Sequence, residues 1–149
     1  MKVANSVKAS VFCHESENSE EILKGLASLF PFSLEENKIK INKIAAEGIK
    51  ENRIEIYEIS VEKESLVNKF IESLKEKLGK MQIEVLKVQK ESRLDEECNF
   101  FVRIEKACWM QESKMKLTDS GKCYHIKINI AAFPKRRESA MKVVEKILE

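Results

Sequence analysis

The sequence has little glycine, little proline and no long apolar run. Four glycines and two prolines in 149 residues leave no linker or low-complexity tract, which argues for a single domain over residues 1–149. No stretch approaches the roughly 18 apolar residues that a membrane helix requires. The start, MKVANSVKAS, lacks the apolar run of a secretory signal. A soluble, cytoplasmic protein with no membrane partner is expected. The cysteines Cys13, Cys98, Cys108 and Cys123 form no CxxC. Each sits among strand-like apolar residues, where cysteine usually packs as a small hydrophobe. Cys13 and His14 would converge with Cys123 and His125 if their strands paired, but that spacing matches no standard zinc site. No metal and no cofactor are expected.

Catalytic signatures are absent too. The chain contains no P-loop, no Rossmann glycine motif, no nucleophile elbow and no HExxH. Both histidines fall on strands. Cys13 and His14 are strand neighbours, so their side chains point to opposite faces. The carboxylates lie on helix surfaces and loops, where solvation accounts for them. A binding module is expected rather than an enzyme.

What is present is a real core and an uneven charge. The chain is 43% hydrophobic and 35% charged, enough apolar material to fold without a disulfide or metal staple. Residues 1–98 carry 16 Lys and Arg against 19 Asp and Glu, a net −3; residues 99–149 carry 11 against 6, a net +5. A basic last third points to one face for an anionic ligand.

Periodicity yields an α+β chain. Val7, Ala9, Val11 and Cys13 alternate with polar neighbours, giving a half-buried strand over Ser6–His14. Asn18 with Glu21 forms a capping box for a helix whose stripe is Ile22, Leu23, Leu26, Leu29 and Phe30, ended by Pro31. Strands are expected over Lys38–Ile44 and Arg53–Ile59, with AEGIKEN as the turn between them. Leu66, Val67, Phe70, Ile71, Leu74 and Leu78 predict a helix that Gly79 stops. KMQIEVLKVQKESRLD fits helix or strand, and helix is favoured. Asn99–Glu105 is a strand, and Lys114–Leu117 with Lys122–Ala132 read as a hairpin around TDSG. FPKRRES opens a last helix. Sharp alternation suits a single antiparallel or mixed sheet with helices packed on one face.

Two features could bind an anion. The residues alternating away from the apolar set include Lys8, Phe12, His14, Lys38, Lys40, Arg53, Tyr57, Phe101, Arg103, His125, Lys127 and Asn129. Cations there can hold phosphates while bases stack on rings. The second feature is Lys135, Arg136 and Arg137 at the start of the last helix. Helix first turns favour acids, so three cations there conflict with the dipole unless an anion joins them.

The segment VRIEKACWMQESKMKLTDSGKCYHIKINIAAFPKRRESAMKVVEKIL resembles an archaeal family described as predicted exosome subunits with RNA-binding character. Glu105-Lys106-Ala107, Trp109 and Phe133-Pro134-Lys135-Arg136-Arg137-Glu138 stand where that family has its strand-ending triplet, its aromatic and its basic helix start. Ala107 replaces the usual Gln. The opening strand, the capped acidic helix and the LFP segment also look like the family. The resemblance implies a fold similar to the large-subunit ribosomal protein that binds 5S RNA, and exosome subunits as partners.

These readings converge on a non-catalytic RNA-binding protein serving the exosome or another RNA-processing complex. Lys135, Arg136 and Arg137 would anchor phosphate. Arg103, Lys106 and Lys127 would extend the basic surface, and Phe12, Tyr57 and Phe101 would stack bases. The alternative is a protein-interaction or dimerisation module, for instance a homodimer, that binds no nucleic acid.

Overall fold

The central strand is β1 (Ala4–His14), whose alternation buries Val7, Ala9, Val11 and Cys13 on one side. In this computed structural model, which describes residues 2–47 and 53–149, β1 is flanked by β3 (Arg53–Val61) and β5 (Cys123–Ile130). β2 (Asn42–Glu47) and β4 (Asn99–Glu105) lie outside them, in the order β2-β3-β1-β5-β4. Every pairing is antiparallel. The expected turn over AEGIKEN falls largely outside the described residues.

Four helices among the described residues cover one side: α1 (Ser19–Ser28), α2 (Glu64–Arg93), α3 (Lys106–Glu112) and α4 (Arg137–Ile147). The first starts as expected, the Asn18 side chain accepting from the amides of Glu20 at 3.0 Å and Glu21 at 3.3 Å. Two aromatics lock it down. Tyr124 donates to the Ile22 carbonyl at 3.0 Å, and Trp109 Nε1 to that of Gly25 at 2.8 Å. Gly25 is required at this crossing, because a Cβ there would sit 2.9 Å from Tyr124 Cζ and nearer still to its hydroxyl. α2 is interrupted at Gly79 (φ 79, ψ 165), a backbone region reserved for glycine. The helical reading of the following segment holds as far as Arg93.

Several expectations are corrected. The second strand begins at Asn42, because Lys38 has a left-handed backbone (φ 57) that breaks any extension from there. TDSG is not a hairpin turn. Leu117 bridges to Ile104 and the Thr118 amide donates to the Arg103 carbonyl, so that segment runs along the outer edge of β4 while β5 pairs with the inner edge. The Gln82 amide ties it in place, donating to the Met115 carbonyl at 2.7 Å and accepting from the Leu117 amide at 2.8 Å. A sheet edge that would attract other strands is thereby covered. Cys98 sits in a turn and Cys108 on α3, so only Cys13 and Cys123 are strand residues, and all four thiols are free.

Candidate functional site

The face of the sheet away from the helices is patterned by register. Lys8 lies opposite both Ser60 and Lys127, and Lys127 lies opposite Phe101. The next row runs from Ser10 to His125 to Arg103. These two rows bring three cations around one aromatic pair, Phe101 and His125, whose rings stack at 5.4 Å and 17°. Like charges directly opposite one another on neighbouring strands are destabilising. A 4.0 Å contact from Lys8 to Glu58 and the attraction of Lys127 to the Asp95 carboxylate partly offset the Lys8–Lys127 apposition. Burial, then Arg103 and Lys127, holds the His125 imidazole below its ordinary value, so the ring is neutral at pH 7.

Two cavities open on this cluster. One of about 260 Å³ is lined by Ser10, Phe12, Arg103, Cys123 and His125. The other, about 550 Å³, lies between the end of α2 and the sheet, against Arg93, Phe101, Arg103, Asp119 and His125. Arg93 is part of the edge cover. Its guanidinium donates to the Phe101 carbonyl at 3.1 Å and to Gln89 Oε1 at 2.6 Å.

Of the nine residues singled out for RNA, four meet here: Phe12, Phe101, Arg103 and Lys127. Phe12 is 50% exposed. Lys135 and Arg136 are exposed, but they lie beyond the Ile130 end of β5, away from Arg103 and His125. The remaining three turn inward. Tyr57 pairs opposite Val11 on the helix side, is 6% exposed, and donates its hydroxyl to Glu55. That bond, with burial and the Glu55 charge, pushes the phenol up to about 12. It presents no free ring face for a base. The strand's outward residues are Ile56 and Glu58 instead.

Lys106 is 6% exposed, its ammonium donating to the Phe12 carbonyl at 2.8 Å and paired with Glu17 at 3.2 Å. A buried cation needs such partners, and they withdraw it from the surface. Burial alone would raise the Glu17 carboxyl, but the His14 amide and then Lys106 outweigh it and hold it below its ordinary value.

Arg137 caps α2. Its guanidinium donates to the carbonyls of Glu91 at 2.6 Å and Leu94 at 3.2 Å and pairs with the Glu91 carboxylate at 3.1 Å. A cation on the carbonyl end of a helix is favourable. Moreover, α4 begins only at Arg137, with Glu138 in its first turn, so the expected stack of three first-turn cations does not form. Arg53, also expected on the open face, has a side chain outside the described residues.

Sequence reading underweighted two residues. Alternation along β5 places His125 beside Lys127, but nothing in it signals the stack on Phe101. Arg93 had no signal, since its segment was ambiguous in type. The other half of the open face carries an apolar row, Ile44 opposite Ile56 and Ile56 opposite Phe12, beside the polar Asn42 and Glu58. Among the described residues no helix is long and apolar enough to cross a membrane, and no group of three His, Cys, Asp or Glu side chains could hold a metal.

The sequence model of a family described as RNA binding matches residues 6–132. Over 147 residues the chain is 27% identical to the RNA-binding protein PAB1135 of Pyrococcus abyssi (strain GE5 / Orsay), covering 98% of this chain and 94% of that protein. Among solved structures, protein AF2318 of Archaeglobus fulgidus is 27% identical, with a TM-score of 0.86 over 97% of this chain and 99% of that one. Mth689 of Methanothermobacter thermautotrophicus, a DUF54 protein, shares the fold at 24% identity and a TM-score of 0.78, over 99% of both chains.

Proposed function

Because the chain belongs to this RNA-binding family, we propose that it binds RNA without catalysis, through the β4–β5 half of the open sheet face. One observation carries the reading. Lys8 and Lys127 stand directly opposite each other, with Arg103 one row away, around a stacked and neutral aromatic pair. An RNA phosphate relieves the repulsion, and the rings offer a surface for bases. Lys135 and Arg136 supply a second, separate phosphate contact at the far end of β5.

Titration of structured and single-stranded RNA at two salt concentrations tests the proposal. Binding should weaken with salt, and Arg103→Gln with Lys127→Gln should reduce the salt slope by about two, one per lost phosphate contact. A double variant that binds with unchanged affinity and slope sinks it.

By resemblance, the reading extends to a fold like that of the 5S-RNA-binding ribosomal protein and to service in the exosome or another RNA-processing complex. Recovery of exosome subunits with the tagged chain from its own cells tests the partner. A second reading, a protein-interaction or dimerisation module, is supported by the apolar row Ile44, Ile56 and Phe12 on the other half of the face. Sedimentation that shows a dimer dissociated by Phe12→Ser, together with no RNA binding, would replace the first reading with this one.

A further inference from the structure

The larger cavity is the feature that RNA-backbone binding alone leaves without a use. A phosphate-binding surface can be flat. This cleft, open to solvent, has about 550 Å³ of space, the size of small-ligand sites and large enough for one nucleotide. Its wall on the sheet side is the Phe101–His125 stack. The two rings stack on one another, which covers their facing sides and leaves an outer ring face on which a base can continue the stack. Its polar groups converge from three elements: Arg93 from the end of α2, Arg103 from β4, and Asp119 from the segment leading into β5.

The electrostatics of the cleft leave a place for an anion. Two guanidiniums face one carboxylate. Arg93 is largely occupied by Gln89 and the Phe101 carbonyl. Arg103 makes one long bond, 3.3 Å, to the Asp119 carbonyl and is otherwise exposed. Arg103 is therefore the group available to a phosphate, and Arg93 shapes the wall. In a paired A-form helix the bases are stacked inside, and only unpaired ones can enter such a cleft.

We propose that the cleft between α2 and the open sheet face holds a single unpaired nucleotide of the bound RNA, its base laid on the Phe101–His125 stack and its phosphate on Arg103. This rests on the RNA-binding reading above and adds to it the kind of RNA preferred: one with a bulge, a loop or a free end.

The experiment compares two blunt-ended RNA duplexes that differ only by one bulged nucleotide, with a parallel NMR titration of adenosine 5′-monophosphate against the wild-type chain. The bulged duplex should bind about 10-fold more tightly, the scale of one base–aromatic stack. Phe101→Leu should abolish that advantage. If Phe101→Leu does not fold, Arg103→Gln, at an exposed side chain, must reduce the same advantage. The mononucleotide should shift the His125 ring protons. Equal affinity for the two duplexes, with no His125 shift, overturns the cleft proposal and leaves the RNA reading standing. No binding of either duplex at low salt overturns both.

Discussion

Two regions of this protein are built from the same residue types and use them in opposite ways. On the β4–β5 face, Arg103, Lys127 and Lys8 point out around an aromatic pair, with like charges left close together. At the sheet's Cys13 end and at the α2–α4 junction, Lys106 and Arg137 are turned inward onto carbonyls and carboxylates. The difference teaches that a cation's role depends on whether backbone acceptors lie within its reach. Lys106 and Arg137 meet unsatisfied carbonyls and become structural. The sheet-face cations have only long or distant contacts, Lys8 with Glu58 and Arg103 with the Asp119 carbonyl, and stay exposed to an acceptor from outside.

Four changes would break or sharpen that contrast. The largest effect is expected from Lys106→Met, which strands Glu17 and the Phe12 carbonyl. It should cost about 3 kcal/mol of stability, the low end for a broken buried pair because Glu17 is partly exposed. Urea melts measure it. The folded fraction should still bind RNA, and an RNA-specific loss without destabilisation would contradict the structural role.

Next is Arg137→Gln, which removes the cap on α2 and should cost about 1–2 kcal/mol in the same melts. Its RNA salt slope should match the wild type, whereas Arg136→Gln should lower the slope with no change in stability. The reverse pattern would return Arg137 to the interface.

Lys127→Gln should behave in the opposite sense. Relieving the apposition with Lys8 should raise stability by a few tenths of a kcal/mol, while RNA binding weakens and its salt slope falls by about one. A variant that is less stable, with binding intact, would place Lys127 with the structural cations.

The smallest effects concern pH. The folded Glu17 carboxyl lies below its ordinary value, so its contribution is present above the unfolded value of about 4.3 and is lost as pH falls through the folded one. Melting temperatures of wild type and Lys106→Met between pH 6 and 3 should converge. His125 is also depressed. Its contribution is present above the unfolded value of about 6.5 and is lost as pH falls below it. Bound RNA, by neutralising Arg103 and Lys127, should raise the imidazole's titration midpoint, which NMR reads directly. A midpoint unmoved by RNA would detach His125 from the interface.

Much of this architecture was legible in the sequence. Strand alternation in β1, β4 and β5, the Asn18 cap and the stripe of α2 are local patterns, set by whether successive side chains face oil or water. Those patterns decide element type and inward face without reference to distant residues. The same patterns assembled half of the candidate site, because Arg103, Phe101 and Lys127 lie on strands whose inward residues are unambiguous. β3 was harder. Ile54 and Ile56 read as its apolar face, which puts Tyr57 outside, but pairing with β1 turns Ile56 outward and carries Tyr57 and Ile59 inward.

What the sequence by itself determined, then, is an α+β chain with a basic last third and a sheet bearing cations and rings. What only the tertiary structure decided is which of those cations are free. Lys106 meets Glu17 from 89 residues away, and Arg137 meets Glu91 from 46. Long side chains reach acceptors that chain order does not bring near, and burial makes those acceptors obligatory. The stack of Phe101 on His125 and the cleft beside it arise in the same way, from strand register and the approach of α2.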